Sequence, residues 1–344
     1  MVETPNRPLD RNLDQWPFPD RKSLPLDYVE SMPMDVPAVL SLKRFTTVQT
    51  SRGCPWTCKF CDIPVFNEGK WRFRGAQHVI DELKHLQESG YGAAFLVDDN
   101  FLLQPKRIEA ICKGIHDSGV KIEWGCEGRV DSVVHHLFPV MQKAHCRTLM
   151  FGIESGSQKT LDRLGKRQKL SEVAAAVANA KRAGIEIVHG FFIVGSPGET
   201  VADMRDTFDF ASKLRLDTFA FNRLCVYRGT PLWREYVERG LVNDETDWDK
   251  FFKFSAIYPT CLSGEVINGE RTRGLKRLFL YKMTHYPFQI LRLLKRFLRY
   301  MPLRDVLHLI VKPFLGPAPK NAGVQMRGRF MKGQFEMTPI KRTL

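Results

Sequence analysis

Thr46–Cys61 reads TTVQTSRGCPWTCKFC, a short strand running into a loop that carries Cys54, Cys58 and Cys61 at C-x3-C-x2-C spacing. Three thiolates on one loop can hold three corners of a cubane iron–sulfur cluster and leave the fourth iron open to a small molecule. A ferredoxin-type run would close the cluster with a fourth cysteine at short spacing, and structural zinc also takes four ligands. Here the next cysteine is Cys112, and no second Cys or His pair lies nearby. A zinc loop and a group of buried, unligated cysteines are the alternatives at this point.

Outward from the loop, bulk properties bound the answer. A chain of 344 residues buries the core of one large α/β domain, or of one domain plus an appendage. The N-terminal MVETPNRPLDRNLDQW has no apolar run, and no uninterrupted apolar stretch approaches the length of a membrane span. Eight cysteines, three of them at cluster spacing, point to a reducing cytoplasm rather than a disulfide framework. The net charge of +14 is uneven: residues 271–344 hold 17 Lys and Arg against two acids, Asp305 and Glu336, and the rest is near neutral. That step in charge marks a domain boundary.

Residues 1–40 are proline-rich and read as an extended lead-in. From 41 to 235 strands and helices alternate. Strands are expected at 93–99, 121–128, 147–155, 185–195 and 217–226 after the first one, and helices at 75–90, 105–119, 131–144, 171–184 and 199–214. Pro105 suits the first helical turn, and Asp131 and Ser171 suit N-caps. Six such units predict an α/β fold, a partial (β/α)6 TIM-like barrel of parallel strands with an α-helical C-terminal extension. The chemistry then belongs at the C-terminal ends of the strands.

With Phe60 as the aromatic, the motif C-x3-C-x-aromatic-C resembles that of the radical S-adenosylmethionine (radical SAM) superfamily. The resemblance covers roughly residues 40–230 and is to the catalytic core of its cobalamin-binding branch, with the cobalamin domain itself expected to be absent. It implies a [4Fe–4S] cluster on Cys54, Cys58 and Cys61, SAM on the open iron, and hydrogen abstraction by a 5′-deoxyadenosyl radical. It also implies roles for residues at the strand exits. Asp98 and Asp99, in DDNF, would accept from the SAM ammonium, with a helix N-cap as the alternative. Arg129 would meet the methionine carboxylate or pair with Glu127 or Asp131. Glu154 and Ser155, in GIES, would hold the ribose hydroxyls or the carboxylate. Gly195 and Glu199, in IVGSPGET, would lie against the adenine beside Phe60. Arg72 or Arg74 would stabilise the cluster loop or touch substrate, and His189 reads as structural.

Residues 236–320 form the helical extension and 321–344 a flexible basic tail. In residues 287–314, Ile290, Leu291, Leu294, Phe297 and Leu298 share one helical face opposite Arg292, Lys295, Arg296 and Arg299. Three readings fit: a lid on the open side of the barrel, a membrane-surface helix, or a site for an acidic partner across residues 271–314. No RNA-binding motif is present, which argues against nucleic acid. The expected function is hydrogen abstraction from a small organic, apolar substrate, leading to methylation, cyclisation or oxidation. The external electron donor would be of flavodoxin or ferredoxin type, and any cobalamin would come from a partner. A tRNA methylthiotransferase-like enzyme and a non-enzymatic iron–sulfur electron carrier or redox sensor are the alternatives.

Overall fold

The computed structural model describes residues 8–23, 44–131, 134–243, 262–298, 303, 325–331 and 334–340. Six parallel strands pair in chain order: β1 Phe45–Val48, β2 Ala93–Leu96, β3 Glu123–Gly128, β4 Cys146–Glu154, β5 Ile187–Val194 and β6 Thr218–Arg223. Helices α1 Ala76–Glu88, α2 Pro105–Asp117, α3 Phe138–Lys143, α4 Leu170–Arg182 and α5 Val201–Lys213 fill the crossovers from β1 onward. This is the partial barrel that the alternation predicts.

Side chains alternate between two cores. Leu149, Phe151 and Ile153 on β4 and Val188, Phe192 and Val194 on β5 pack outward with α1 Leu83, α2 Ile108 and α5 Met204. Phe45, Ala93, Phe95 and Met150 form a smaller inner cluster with Phe191.

Two helix starts differ from expectation. Among the described residues Asp131 caps no helix: a 3-10 turn at His135–Leu137 precedes α3, which has Pro139 in its first turn. A helix running through from 131 would place that proline in its interior, where it lacks an N–H to donate. The N-cap of α4 is Lys169 rather than Ser171, with the Glu172 carboxylate accepting from the Lys169 N–H at 2.7 Å.

Beyond the barrel lie α6 Pro231–Glu238, α7 Gly264–His285 and α8 Pro287–Leu298. Helix α7 lies along α5, with Glu270 paired to Arg205 at 3.0 Å and to Arg273 at 2.7 Å. Arg271 donates to the Phe221 carbonyl at 2.7 Å, on the outermost strand. At the far end Lys282 donates to the Leu214 carbonyl, and the Tyr286 hydroxyl to that of Lys213 at 2.9 Å. Those carbonyls precede β6, so α7 leads the chain away from the strand exits.

Helix α8 is therefore not a lid over the mouth. Gln289 and Arg292 bind the Asp217 carboxylate at 2.8 and 3.1 Å, at the N-terminal end of the sheet. Gln289 and Arg292 turn toward the protein, while Phe288, Leu291 and Leu298 are 84%, 59% and 45% exposed and Ile290 and Leu294 are half-buried. Residues 299–302 and 304–314 of that expectation lie outside the described residues. Farther along, Gln325–Met331 pairs antiparallel with Gln334–Ile340. Only Lys332 and Gly333 separate these runs, the spacing of a two-residue hairpin.

A Cβ on Gly274 of α7 would lie 2.3 Å from the Phe208 ring of α5, whereas one on Gly269 meets nothing closer than 3.6 Å. Gly274→Ala is expected to destabilise the protein by about 1–3 kcal/mol through overpacking. Gly269→Ala is expected to be neutral or to stabilise by up to about 1 kcal/mol. Chemical denaturation of the two variants side by side checks this.

Candidate active site

The cysteine loop leaves β1 over the C-terminal edge of the sheet, and its base is closed where Ser51–Arg52 pairs antiparallel with Arg72–Phe73. Asp98, 2% exposed, sits beneath. Its carboxylate accepts from the Thr50 N–H at 2.6 Å, the Thr50 hydroxyl at 2.5 Å and the Ser51 hydroxyl at 2.7 Å. Arg107 completes the brace, donating to the Thr50 carbonyl at 2.9 Å and to Thr50 Oγ1 at 2.7 Å. Burial pushes the Asp98 carboxyl above its ordinary range, and the bonds from Thr50 and Ser51 pull it back. The Asp98 carboxylate is thus taken up by the loop. Asp99 reaches the same loop, accepting from the Gly53 N–H at 2.7 Å. Gly53 has φ +87°, and a Cβ there would lie 2.0 Å from the Lys70 carbonyl, so only glycine fits. Asn100, not either aspartate, caps the turn that follows, its Oδ1 accepting from the Leu102 N–H at 3.2 Å.

Cys54 and Cys58 are buried and Cys61 is half-buried. Burial raises the Cys54 thiol and pushes Cys61 up to about 12. Arg129 comes to this loop: Nη1 donates to Cys58 Sγ at 3.2 Å, and the guanidinium lies 4.2 Å from the Trp56 ring centroid. It is held by Asp131 through bonds of 2.9 and 2.7 Å. Burial alone would weaken its charge, but Asp131 and the adjacent cysteines raise it instead. Of the two pairings open in sequence, Asp131 is the one formed.

Glu154 sits at φ +67°, where the register of β4 against β5 shifts. A non-glycine residue in the left-handed region at a bulge marks a re-aimed side chain. Its carboxylate pairs with buried Lys166 at 2.7 Å. Lys166 Nζ lies 5.9 Å from the Phe60 ring centroid, and its carbonyl accepts from Arg129 at 2.5 Å. Lys166 escaped the sequence reading because the charged run GKRQK looks like a solvated loop. Arg107 escaped because it lies in an ordinary amphipathic helix.

Ser155 is fully buried and bonded to Thr207 Oγ1 of α5 at 2.9 Å, so it packs a helix rather than facing the mouth. Gly195 has φ +80°. Its N–H and that of Ser196 donate to Glu199 Oε2 at 2.6 and 3.0 Å. Glu199 Oε1 and Ser196 Oγ are buried without a hydrogen-bond partner among the described residues. Burial raises the Glu199 carboxyl to about 7. Arg72 and Arg74 both serve the framework, Arg72 through Asn67 at 2.9 Å and Arg74 through Glu82 at 2.5 Å.

Residues 48–211 match the model of the Radical SAM superfamily. This stretch is a radical SAM domain. Over 72% of its length the chain is 34% identical to an uncharacterized methyltransferase of Pyrococcus horikoshii, covering 52% of that protein. Over 79% it is 26% identical to an anaerobic magnesium-protoporphyrin IX monomethyl ester cyclase of Cereibacter sphaeroides, covering 46% of it. The chain thus spans about half the length of these curated relatives. The fold is shared with OxsB, a cobalamin-dependent S-adenosylmethionine radical enzyme, at 17% identity and a TM-score of 0.53 over 77% of this chain and 49% of that one.

Radical SAM proteins use a [4Fe–4S] cluster and SAM, and the donor set here fits the cluster. Among the described residues no three His, Cys, Asp or Glu side chains converge on a single metal ion, which a cubane, taking one thiolate per iron, does not require. The three cysteines lie within eight residues on one loop, and Arg129 Nη1 donates to Cys58 Sγ at 3.2 Å, a cation placed to offset thiolate charge there.

Asp98→Ala is expected to cost about 2–4 kcal/mol and to lower the iron bound per chain, because it strands buried donors and Arg107. Iron analysis beside a denaturation curve checks this. Glu199 is raised from its ordinary 4.5 to about 7 by burial. Its contribution to stability is therefore intact below about pH 4.5 and lost as pH rises to about 7. Urea midpoints of the cluster-free protein should show a fall over that window that Glu199→Gln reduces.

Proposed function

We propose that this chain provides the catalytic barrel of a radical SAM enzyme acting on a small, largely apolar organic substrate, with methylation or oxidative cyclisation as the outcome. The observation that carries the reading is the braced three-cysteine loop with Arg129 on Cys58, set in a radical SAM domain. Cys54, Cys58 and Cys61 would hold the cluster. A cluster held there would supply the electron that cleaves the sulfonium S–C5′ bond of SAM to methionine and a 5′-deoxyadenosyl radical. Arg129 offsets negative charge at Cys58, and Trp56 covers the guanidinium. Phe60, Asn100, Glu154 with Lys166, Gly195 and Ser196 would shape the SAM pocket. Asp98, Asp99 and Glu199 hold the backbone that frames it. Names among the relatives support the two outcomes, a methyltransferase and a tetrapyrrole ester cyclase. Methylation would draw on cobalamin supplied by a partner, and the electron would come from a flavodoxin- or ferredoxin-type donor.

Anaerobic reconstitution with iron and sulfide, followed by dithionite and SAM, tests the reading. 5′-Deoxyadenosine is expected from the native chain and is expected to fall at least about a hundredfold in Cys58→Ala. Full cluster loading with no product, even with a cobalamin protein added, would sink it.

The placement of α8 supports a second element, a lipid-facing surface that brings the barrel to apolar substrates. Outward Phe288, Leu291 and Leu298, with Lys295 exposed near them, suit an anionic interface. No helix among the described residues is long and apolar enough to cross a membrane. Co-sedimentation with phosphatidylserine-containing vesicles is expected, weakened about tenfold or more by Phe288→Glu with Leu291→Glu. Equal binding by that double variant would remove this element.

A further inference from the structure

The barrel interior carries two ionisable side chains that the cluster site does not use. Parallel pairing sets Glu127 of β3 beside Met150 of β4, Met150 beside His189 of β5, and His189 beside Thr218 of β6. Partners in a parallel register point to the same face of a sheet. Their chain neighbours Cys126, Leu149 and Val188 belong to the helix-facing core, so this row faces inward. It lies deeper than the cluster site, since Arg129 and Glu154 come later on the same two chain segments. Phe95 and Phe191 pack with Met150 to give the row an apolar bed.

The polar atoms of this row are not satisfied. His189 Nδ1 bonds to Thr218 Oγ1 at 2.8 Å, and its Nε2 is buried with no partner among the described residues. Burial lowers His189 to about 4, so the ring is neutral at pH 7. Glu127 makes no hydrogen bond or ion pair among the described residues. The charged groups acting on it are Asp99 and Glu154, both carboxylates, and Glu154 alone has a lysine. A half-buried acid without a donor is costly to keep. In a barrel that serves only to pack, an apolar side chain would do better at that position.

We propose that Glu127 and His189 form a substrate-recognition row, which takes an aromatic or alicyclic molecule carrying a cationic or N–H-bearing nitrogen against Glu127. This rests on the radical SAM reading for what happens to the molecule, but not for its binding. The apolar bed receives the ring, and the nitrogen supplies the donor that the protein withholds from Glu127. A carboxylate on the ligand is disfavoured, because Asp99 and Glu154 already crowd the acid.

The test titrates the full-length, cluster-reconstituted protein with SAM present, using benzylammonium, benzyl alcohol and benzoate as probes in saturation-transfer NMR and calorimetry. Benzylammonium is expected to bind about tenfold or more tightly than benzoate, and Glu127→Gln to remove most of that preference. Glu127→Asp, which keeps the charge but retracts it, is expected to fall between them and covers the case of a misfolded glutamine variant. Iron content and melting temperature report the folding of each variant, and SAM affinity is measured on the same samples. Three results would overturn the proposal: equal binding of ammonium and benzoate by the native chain, no binding of benzylammonium, or unchanged ammonium affinity with weakened SAM in Glu127→Gln. Failure of the radical SAM reading shows separately, as absence of 5′-deoxyadenosine from the native chain, and leaves the probe titration interpretable.

Discussion

A single buried carboxylate holds the working end of this molecule together. Asp98 takes three donors from Thr50 and Ser51, and Arg107 grips the same threonine from the other side. A loop that presents thiols to a metal cluster cannot also be packed as a core element, because its cysteines, though buried or half-buried here, must face the cluster. Its position therefore comes from polar bonds made just below it, where low dielectric strengthens them. The mini-hairpin, the Gly53 turn and the Arg74–Glu82 pair all attach to that anchored base.

Around the mouth, buried charges divide into two kinds. Arg129 has Asp131 and Cys58, and Glu154 has Lys166. These are satisfied within the protein and set the shape of the cavity. Glu199 Oε1, Ser196 Oγ and His189 Nε2 are buried without hydrogen-bond partners among the described residues. The paired charges fix the frame of the site, whereas the partnerless atoms keep hydrogen-bonding capacity beside it. Sequence alone cannot sort one kind from the other, because a glutamate next to an arginine in GCEGRVD reads as the arginine's partner. Arg129 lies just past the end of β3, and there it pairs with Asp131 rather than Glu127.

The appendage shows how tertiary contacts overrule an amphipathic pattern. Helix α7 packs closely enough on α5 to need glycine at 274, and it caps a carbonyl on the outermost strand. It carries the chain to the N-terminal end of the sheet, away from the chemistry. There Asp217, already bonded to buried Lys181, attracts Gln289 and Arg292. An apolar stripe normally turns inward, but the strongest local partner of this helix is a buried acid. Gln289 and Arg292 dock, and Phe288, Leu291 and Leu298 are left outside.

Periodicity and spacing carried the barrel, because strand and helix repeats are local and a parallel sheet in chain order needs no long-range choice beyond handed crossovers. The cysteine spacing was legible for the same reason: the three thiols lie within eight residues of one another. The strand-five glycines were legible because a positive φ demands them. The direction of each polar side chain at the strand exits was decided only by the fold. Asp98 and Ser155 turn to the framework, while Lys166 and Arg107 arrive from segments distant in sequence. Glu127 stands unpaired because register, not adjacency, sets its neighbours. A side chain's role follows from the charges within a few ångströms of it, and those distances exist only once the strands have paired.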